Sequence, residues 1–157
     1  MLPMMHRKML IDNLDGNVEL FSSLAQQAIE AGELDRRPDP ERFSLREIFA
    51  HVADFDPIFL GRIVDARDKD NPTLVGSDPG RMAIDNNYSH SVPNVAIDWL
   101  RASRPELTAA LRELTDDEWS RTADHKVFGP MTIETLAIAV SIHDGYHLNQ
   151  ILEWLKS

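Results

Sequence analysis

The chain contains no cysteine. That excludes disulfides, thiolate metal ligands and a cysteine nucleophile, so any metal must be held by nitrogen or oxygen. It is also compatible with a reducing cytoplasm, the expected location. No apolar run reaches the roughly 18–20 residues needed to cross a bilayer. The opening residues MLPMMHRKML lack the apolar core and small-residue cleavage site of a secretory signal, so no membrane association is expected. Positive charge is scarce: 16 Lys and Arg stand against 26 Asp and Glu, a formal net charge of −10. Such a surface repels phosphate backbones, which argues against nucleic acid as a partner. Its simplest use is solubility. Internal repeats and low-complexity segments are also absent.

What is present is an ordinary globular composition, 43% apolar and 27% charged over 157 residues. One domain covering residues 1–157 is expected, large enough to bury a core.

Four long segments carry helical periodicity. Ile11, Leu14, Val18, Phe21, Ala25 and Ala28 form one apolar stripe, closed by Ala31-Gly32 and then Pro38 and Pro40. The second helix opens at Ser44-Leu45-Arg46-Glu47, which fits a capping box with Phe43 as a hydrophobic staple. Its stripe is Ile48, His51, Phe55 and Ile58, and Pro57 predicts a kink. Residues 69–93 have no period. Asn71-Pro72, Asp78-Pro79-Gly80 and Asn86-Asn87 read as turns there, and so long an irregular stretch suggests a lid. The third helix carries Ala96, Leu100, Ser103, Leu107, Ala110 and Leu114, with Pro105 a point where it can kink or split. Thr115-Asp116-Asp117-Glu118 resembles a further capping box. Residues 122–131 read as a loop ending in Gly129-Pro130. The fourth helix starts near Thr132, with Leu136, Val140, His143, His147, Ile151 and Trp154 along its seam. With no strong strand candidate, the expected class is all-α: an antiparallel four-helix bundle with a long irregular connection between its second and third helices.

The histidines stand out in this pattern. His143 and His147, in H-D-G-Y-H, are four residues apart. Four residues turn about 400° and rise about 6 Å, so both rings leave one face. They occupy seam positions where Leu or Ile would pack better. His51 lies in the stripe of another helix. A single buried imidazole is most simply a satisfied core residue, but three directed into one bundle core form a site for a divalent transition metal. The pair is not the H-E-x-x-H of a metalloprotease, since Asp144 and Gly145 follow His143. Asp144 points about 100° away from the histidine face.

The segments FSLREIFAHVADFDPIFLGRI (43–63) and GPMTIETLAIAVSIHDGYHLNQIL (129–152) resemble the DinB-like superfamily of small bacterial four-helix-bundle metalloproteins. The likeness runs from the first helix to the C-terminus, leaving 69–93 unmatched. Members carry one metal-binding histidine on the second helix and two in an H-D-x-x-H-x-x-Q-I setting on the last. These positions are His51, His143 and His147 here, with Gln150-Ile151 completing the motif. A tryptophan often found before the second helix is missing, with Phe43 nearby. The resemblance implies a bound divalent ion, Zn²⁺ or Ni²⁺ foremost. Some members are transferases or isomerases that use a low-molecular-weight thiol such as bacillithiol, mycothiol or glutathione. The name is shared with an unrelated DNA polymerase, to which nothing here is similar.

The expected function is that of a metal-dependent enzyme, a thiol-dependent transferase or isomerase in stress or detoxification, or a hydrolase, acting on a small molecule. Three imidazoles would leave positions on the metal for water, substrate or thiol, and the thiol would have to come from outside. The alternative is a non-catalytic metal- or ligand-binding stress protein, with a homodimer through a bundle face in view. Glu47, one turn before His51, is a candidate general base or histidine partner, against its role in the capping box. Gln150, one turn after His147, is a candidate for orienting a ligand. Asp54 and Asp56 read as solvated helix residues, and His6, His90 and His125 as surface histidines. Phe55, Phe59 and Trp154 read as core, with the lining of an apolar pocket above the metal as the alternative.

Overall fold

The computed structural model describes residues 1–157. Four long helices make the bundle: α1 (Met4–Ala31), α2 (Leu45–Asp68), α4 (Pro93–Arg112) and α6 (Ile133–Lys156). Short elements fill the connections: β1 (Thr73–Leu74), α3 (Pro79–Asp85), a 3-10 turn (Tyr88–His90), α5 (Asp116–Trp119), β2 (Thr122–His125) and β3 (Gly129–Thr132).

The helix boundaries follow from side-chain chemistry. Ser44 accepts the Glu47 N–H while Glu47 accepts the Ser44 N–H, a reciprocal capping box that starts α2. Thr115 with Glu118 and Thr132 with Thr135 start α5 and α6 in the same way. Gly32, at φ 70°, closes α1 in the left-handed conformation that an L side chain adopts only with strain. Pro57 and Pro105 lie inside α2 and α4, and both helices run on past them.

The packing order differs from the chain order. Helix α1 packs on α4 and α6, and α2 packs on α4 and α6, while α1 and α2 barely touch. The first two long helices therefore lie across the bundle diagonal, and each faces the same two neighbours. Two apolar clusters result. One is centred on Leu14, Phe59, Leu107, Leu136 and Val140, and the other on Phe21, Phe49, Leu100, Ile151 and Trp154.

Three expectations are corrected. Residues 122–131 are not a plain loop. Strands β2 and β3 form an antiparallel hairpin with Thr122 opposite Thr132 and His125 opposite Gly129, and β1 joins β2 in parallel. Strands of two to four residues are too short to show a period of two, so only pairing reveals them. The hairpin also anchors the long connection: the N–H groups of Asp124 and Lys126 donate to Pro72 and Leu74 carbonyls at 2.9 and 3.0 Å. Second, the α4 stripe passes through Arg104, which is fully buried, rather than Ser103. Third, Asp56 is not solvated. It is buried, and so is Asp144.

These last residues form one network. Arg104 Nε and Nη2 donate to the two Asp56 oxygens at 2.7 and 2.9 Å. Nη1 and Nη2 donate to the Asp144 oxygens at 2.8 and 3.0 Å. The remaining Nη1 hydrogen reaches the Leu14 carbonyl at 2.6 Å, and Asn17 Nδ2 donates to Asp144 at 3.0 Å. Every guanidinium donor is used, and all four long helices contribute. Burial opposes the Arg104 charge, but the two carboxylates outweigh it and raise its pKa. Burial pushes Asp56 up, against the pull of Arg104.

Removing the guanidinium strands two buried carboxylates. Arg104→Ala is expected to lower stability by about 3–5 kcal/mol, read by urea unfolding. Arg104→Lys is also expected to destabilise, because an ammonium has three donors and no planar fork.

Candidate metal centre

His51 leaves the second turn of α2, and His143 and His147 leave α6, the neighbouring helix. One ring nitrogen from each of the three lies within 4.8 Å of the others. His51 Nε2 and His143 Nε2 are 2.8 Å apart. Ligands at 2.0–2.1 Å around a tetrahedral ion sit about 3.3 Å from one another, so this spacing suits a common cation after small ring movements.

The local chemistry fits a donor set. Gln150 Oε1 lies 3.0 Å from His147 Nδ1. A carbonyl oxygen only accepts, so Nδ1 carries the hydrogen and Nε2 keeps its lone pair. The Phe55 ring stacks on His143 at a centroid distance of 5.0 Å and touches His51 at 4.5 Å. Phe43 lies 5.1 Å from His51 on the other side. These rings bury the flanks of the imidazoles. Burial, with the neighbouring His147, pushes His51 down to about 3. Burial and the charges of His147, His51 and Arg104 push His143 down to about 2. His147 falls to about 4 through burial, with Gln150 opposing and Arg42 adding to the fall. All three are neutral near pH 7, the form that binds metal. His51 Nδ1 is buried without a partner. Such a group fits a ring whose orientation serves its other nitrogen.

The cluster forms the floor of a cavity of about 490 Å³. Arg42, Phe43, Tyr146 and Gln150 line it, with Pro79 and Gly80 from the first turn of α3. The long connection expected to act as a lid thus borders the opening.

Other residues singled out in the sequence lie elsewhere. Glu47 is held by the capping box and by Arg37, whose Nη2 donates to it at 2.6 Å, and it does not line the cavity. Asp54 accepts from Tyr88 Oη at 2.8 Å and Asn86 at 2.7 Å. His6 and His90 are exposed. His125 is a correction: it is 2% exposed, turned inward by the alternation of β2. Four residues too short for a visible period concealed this. The Arg104 network was also missed, although an arginine four residues after Leu100 and three before Leu107 is a readable signal.

Residues 14–151 match the model of the DinB superfamily. The chain belongs to the DinB superfamily. Within reach of this DinB chain is YuaE of Bacillus subtilis (strain 168), an uncharacterised protein 27% identical over 134 residues, covering 77% of this chain and 82% of its own length. Among solved structures, YfiT from Bacillus subtilis superposes with a TM-score of 0.87 at 20% identity, covering 99% of this chain and 89% of that one. YfiT is described as "a probable metal-dependent hydrolase with an unusual four-helix bundle topology". At that identity the likeness speaks to the fold, and the DinB fold here is an all-α four-helix core with a long insertion between α2 and α4. No helix is long and apolar enough to cross a membrane.

Two outcomes are expected. Gln150→Leu should weaken Zn²⁺ binding about 10–100-fold, measured by competition with a chromophoric chelator. Protein stripped of metal should lose stability in acid. The unfolded chain protonates these histidines near pH 6.5, whereas the folded one resists to well below pH 5. Stability is therefore full above about pH 6.5 and falls as pH drops below it. Melting temperatures across that range should show the slope, and His51→Ala/His143→Ala/His147→Ala should flatten it.

Proposed function

We propose that the protein is a divalent-metal-dependent enzyme acting on a small molecule in the cavity above His51, His143 and His147. The observation that carries this reading is three neutral, inward-facing imidazoles from two helices at the floor of a ligand-sized cavity. In this reading His51, His143 and His147 are the ligands, and Zn²⁺ or Ni²⁺ suits an all-imidazole set. A bound ion of this kind supplies a Lewis acid and an activated water or thiolate.

The chain's own residues have separable tasks. Gln150 holds the His147 hydrogen on Nδ1 and fixes that ring. Phe43 and Phe55 pack against the imidazole rings and fix their orientation. Arg42 lines the cavity, and its guanidinium can hold an anionic or carbonyl oxygen of the substrate. Glu47 is fully used in capping α2, so its service as a base would need the Arg37 pair to open.

Hydrolysis is the reaction favoured, supported by the shared fold and the description of YfiT. Thiol-dependent transfer or isomerisation is the finer variant, with an external thiol in the same cavity, since the chain has none. A stress or detoxification role, a homodimer and a cytoplasmic location belong to the same proposal. The competing reading keeps the metal but no turnover.

The test begins with metal analysis of untagged protein. Near-stoichiometric Zn²⁺ or Ni²⁺, lost in the triple alanine variant, is expected; protein that retains no added metal overturns the reading. A panel of esters, amides and soluble electrophiles, with and without added thiols, should then show turnover that falls at least about 100-fold in His143→Ala. Stoichiometric metal that raises the melting temperature without turnover would favour the non-catalytic role.

A further inference from the structure

Beside the metal cluster lies a second cavity, of about 380 Å³, which shares Phe55, His143 and Tyr146 with the first. The two therefore meet at His143. The second is walled by Phe59, Phe128, Met131 and Ile142. Phe128, Ile142, Tyr146 and the neighbouring Val127 are exposed. A solvent-exposed apolar rim is notable on a chain of net charge −10.

Two polar groups interrupt this apolar wall, and both have a donor to spare. His125 Nδ1 accepts the N–H groups of Val127 and Phe128 at 3.1 and 3.3 Å. That fixes the hydrogen on Nε2, which is buried and has no partner. Arg62 donates from Nη2 to two neutral oxygens, Val75 O and Ser77 Oγ, each at 3.2 Å. Its Nε is buried and unpartnered, and its guanidinium lies 5.8 Å from the Phe59 ring centroid. A buried donor left unsatisfied costs on the order of 1–3 kcal/mol, and here two such donors belong to side chains that line one cavity, each covered just beneath its wall. The segment around Gly76 lies so close to the hairpin turn that a Cβ there would meet Val127 Cγ2 at 2.9 Å.

We propose that this cavity is a binding subsite for an apolar acyl, alkyl or aryl arm carrying a carboxylate, whose oxygens take the hydrogens of His125 Nε2 and Arg62 Nε once a small turn of each side chain brings its covered donor to the cavity wall. The aromatic and aliphatic walls take the arm. The Arg62 charge, with no acidic partner, selects an anion over a neutral acceptor. Because His143 belongs to both cavities, the substrate spans them, with its arm beside Phe59 and its reacting polar bond above the imidazoles. This second step rests on the functional reading above; the subsite itself does not.

The experiment measures calorimetric binding of straight-chain hydroxamates of two to eight carbons to zinc-loaded protein. The same series ending in a carboxylate runs beside it, and octanoate is titrated into metal-stripped protein. Affinity is expected to rise about fourfold per methylene while the arm fills the cavity. A terminal carboxylate on the longer members should add about tenfold. Ala139 also lines the cavity; Ala139→Phe, which fills it from α6, should abolish the rise, and His125→Phe should shrink the carboxylate's increment while leaving the rise. Unchanged melting temperatures would show that both variants fold. A flat series on protein that binds the two-carbon hydroxamate overturns the subsite and leaves the metal reading intact. If even that member fails to bind zinc-loaded protein, the metal reading falls instead. Octanoate then decides the subsite: binding that Ala139→Phe abolishes supports it, and no binding overturns it.

Discussion

Arg104 holds the bundle together at its centre. Its guanidinium reaches Asp56 on α2, Asp144 on α6 and a carbonyl of α1, while its own backbone belongs to α4. A purely apolar core would let helices slide against one another at little cost, because apolar packing is non-directional. A fork that satisfies five directed bonds tolerates far less displacement. Ion pairs this deep are weak evidence for net stability, since desolvation offsets much of the attraction. Their effect is better described as fixing register, and register is what brings the three imidazoles together. Asp144 is next in sequence to His143, and Asp56 lies five residues after His51. A shift of α2 along α6 by even one residue, about 1.5 Å, would separate the imidazoles.

The same diagonal arrangement explains why the site lies where it does. Helices α1 and α2 scarcely touch, so α2 packs on α4 and α6. The α2–α6 face takes three histidines where hydrophobic residues would otherwise meet. Aromatic rings from α2 and the preceding turn surround them and hold them neutral. The short hairpin then closes one side of the bundle and carries His125 inward. The small sheet walls the second cavity, which shares His143 with the first.

Much of this was readable from residues alone. The helix starts at Ser44, Thr115 and Thr132 were legible because capping is local, involving a side chain and a backbone group three residues away. The i, i+4 histidines were legible because helical geometry places them on one face. Asp56 and Asp144 were misjudged or left without a partner. Nothing within their own helices accounts for their burial; the compensating charge comes from a helix distant in sequence. His125 was misjudged for a similar reason, since its burial depends on pairing with Gly129 and on β1.

Taken alone, the sequence determined the helical class, the helix starts, the pairing of His143 with His147 and the family resemblance carried by residues 43–63 and 129–152. The first three depend on interactions within a turn or two of chain, and the last on residue types at fixed spacings. The tertiary structure decided that His51 comes to lie 2.8 Å from His143, that one arginine bridges two buried acids, and that two cavities meet at a single imidazole. Those facts depend on which helices are neighbours and at what register, and that is set by packing and directed bonds between segments far apart in sequence.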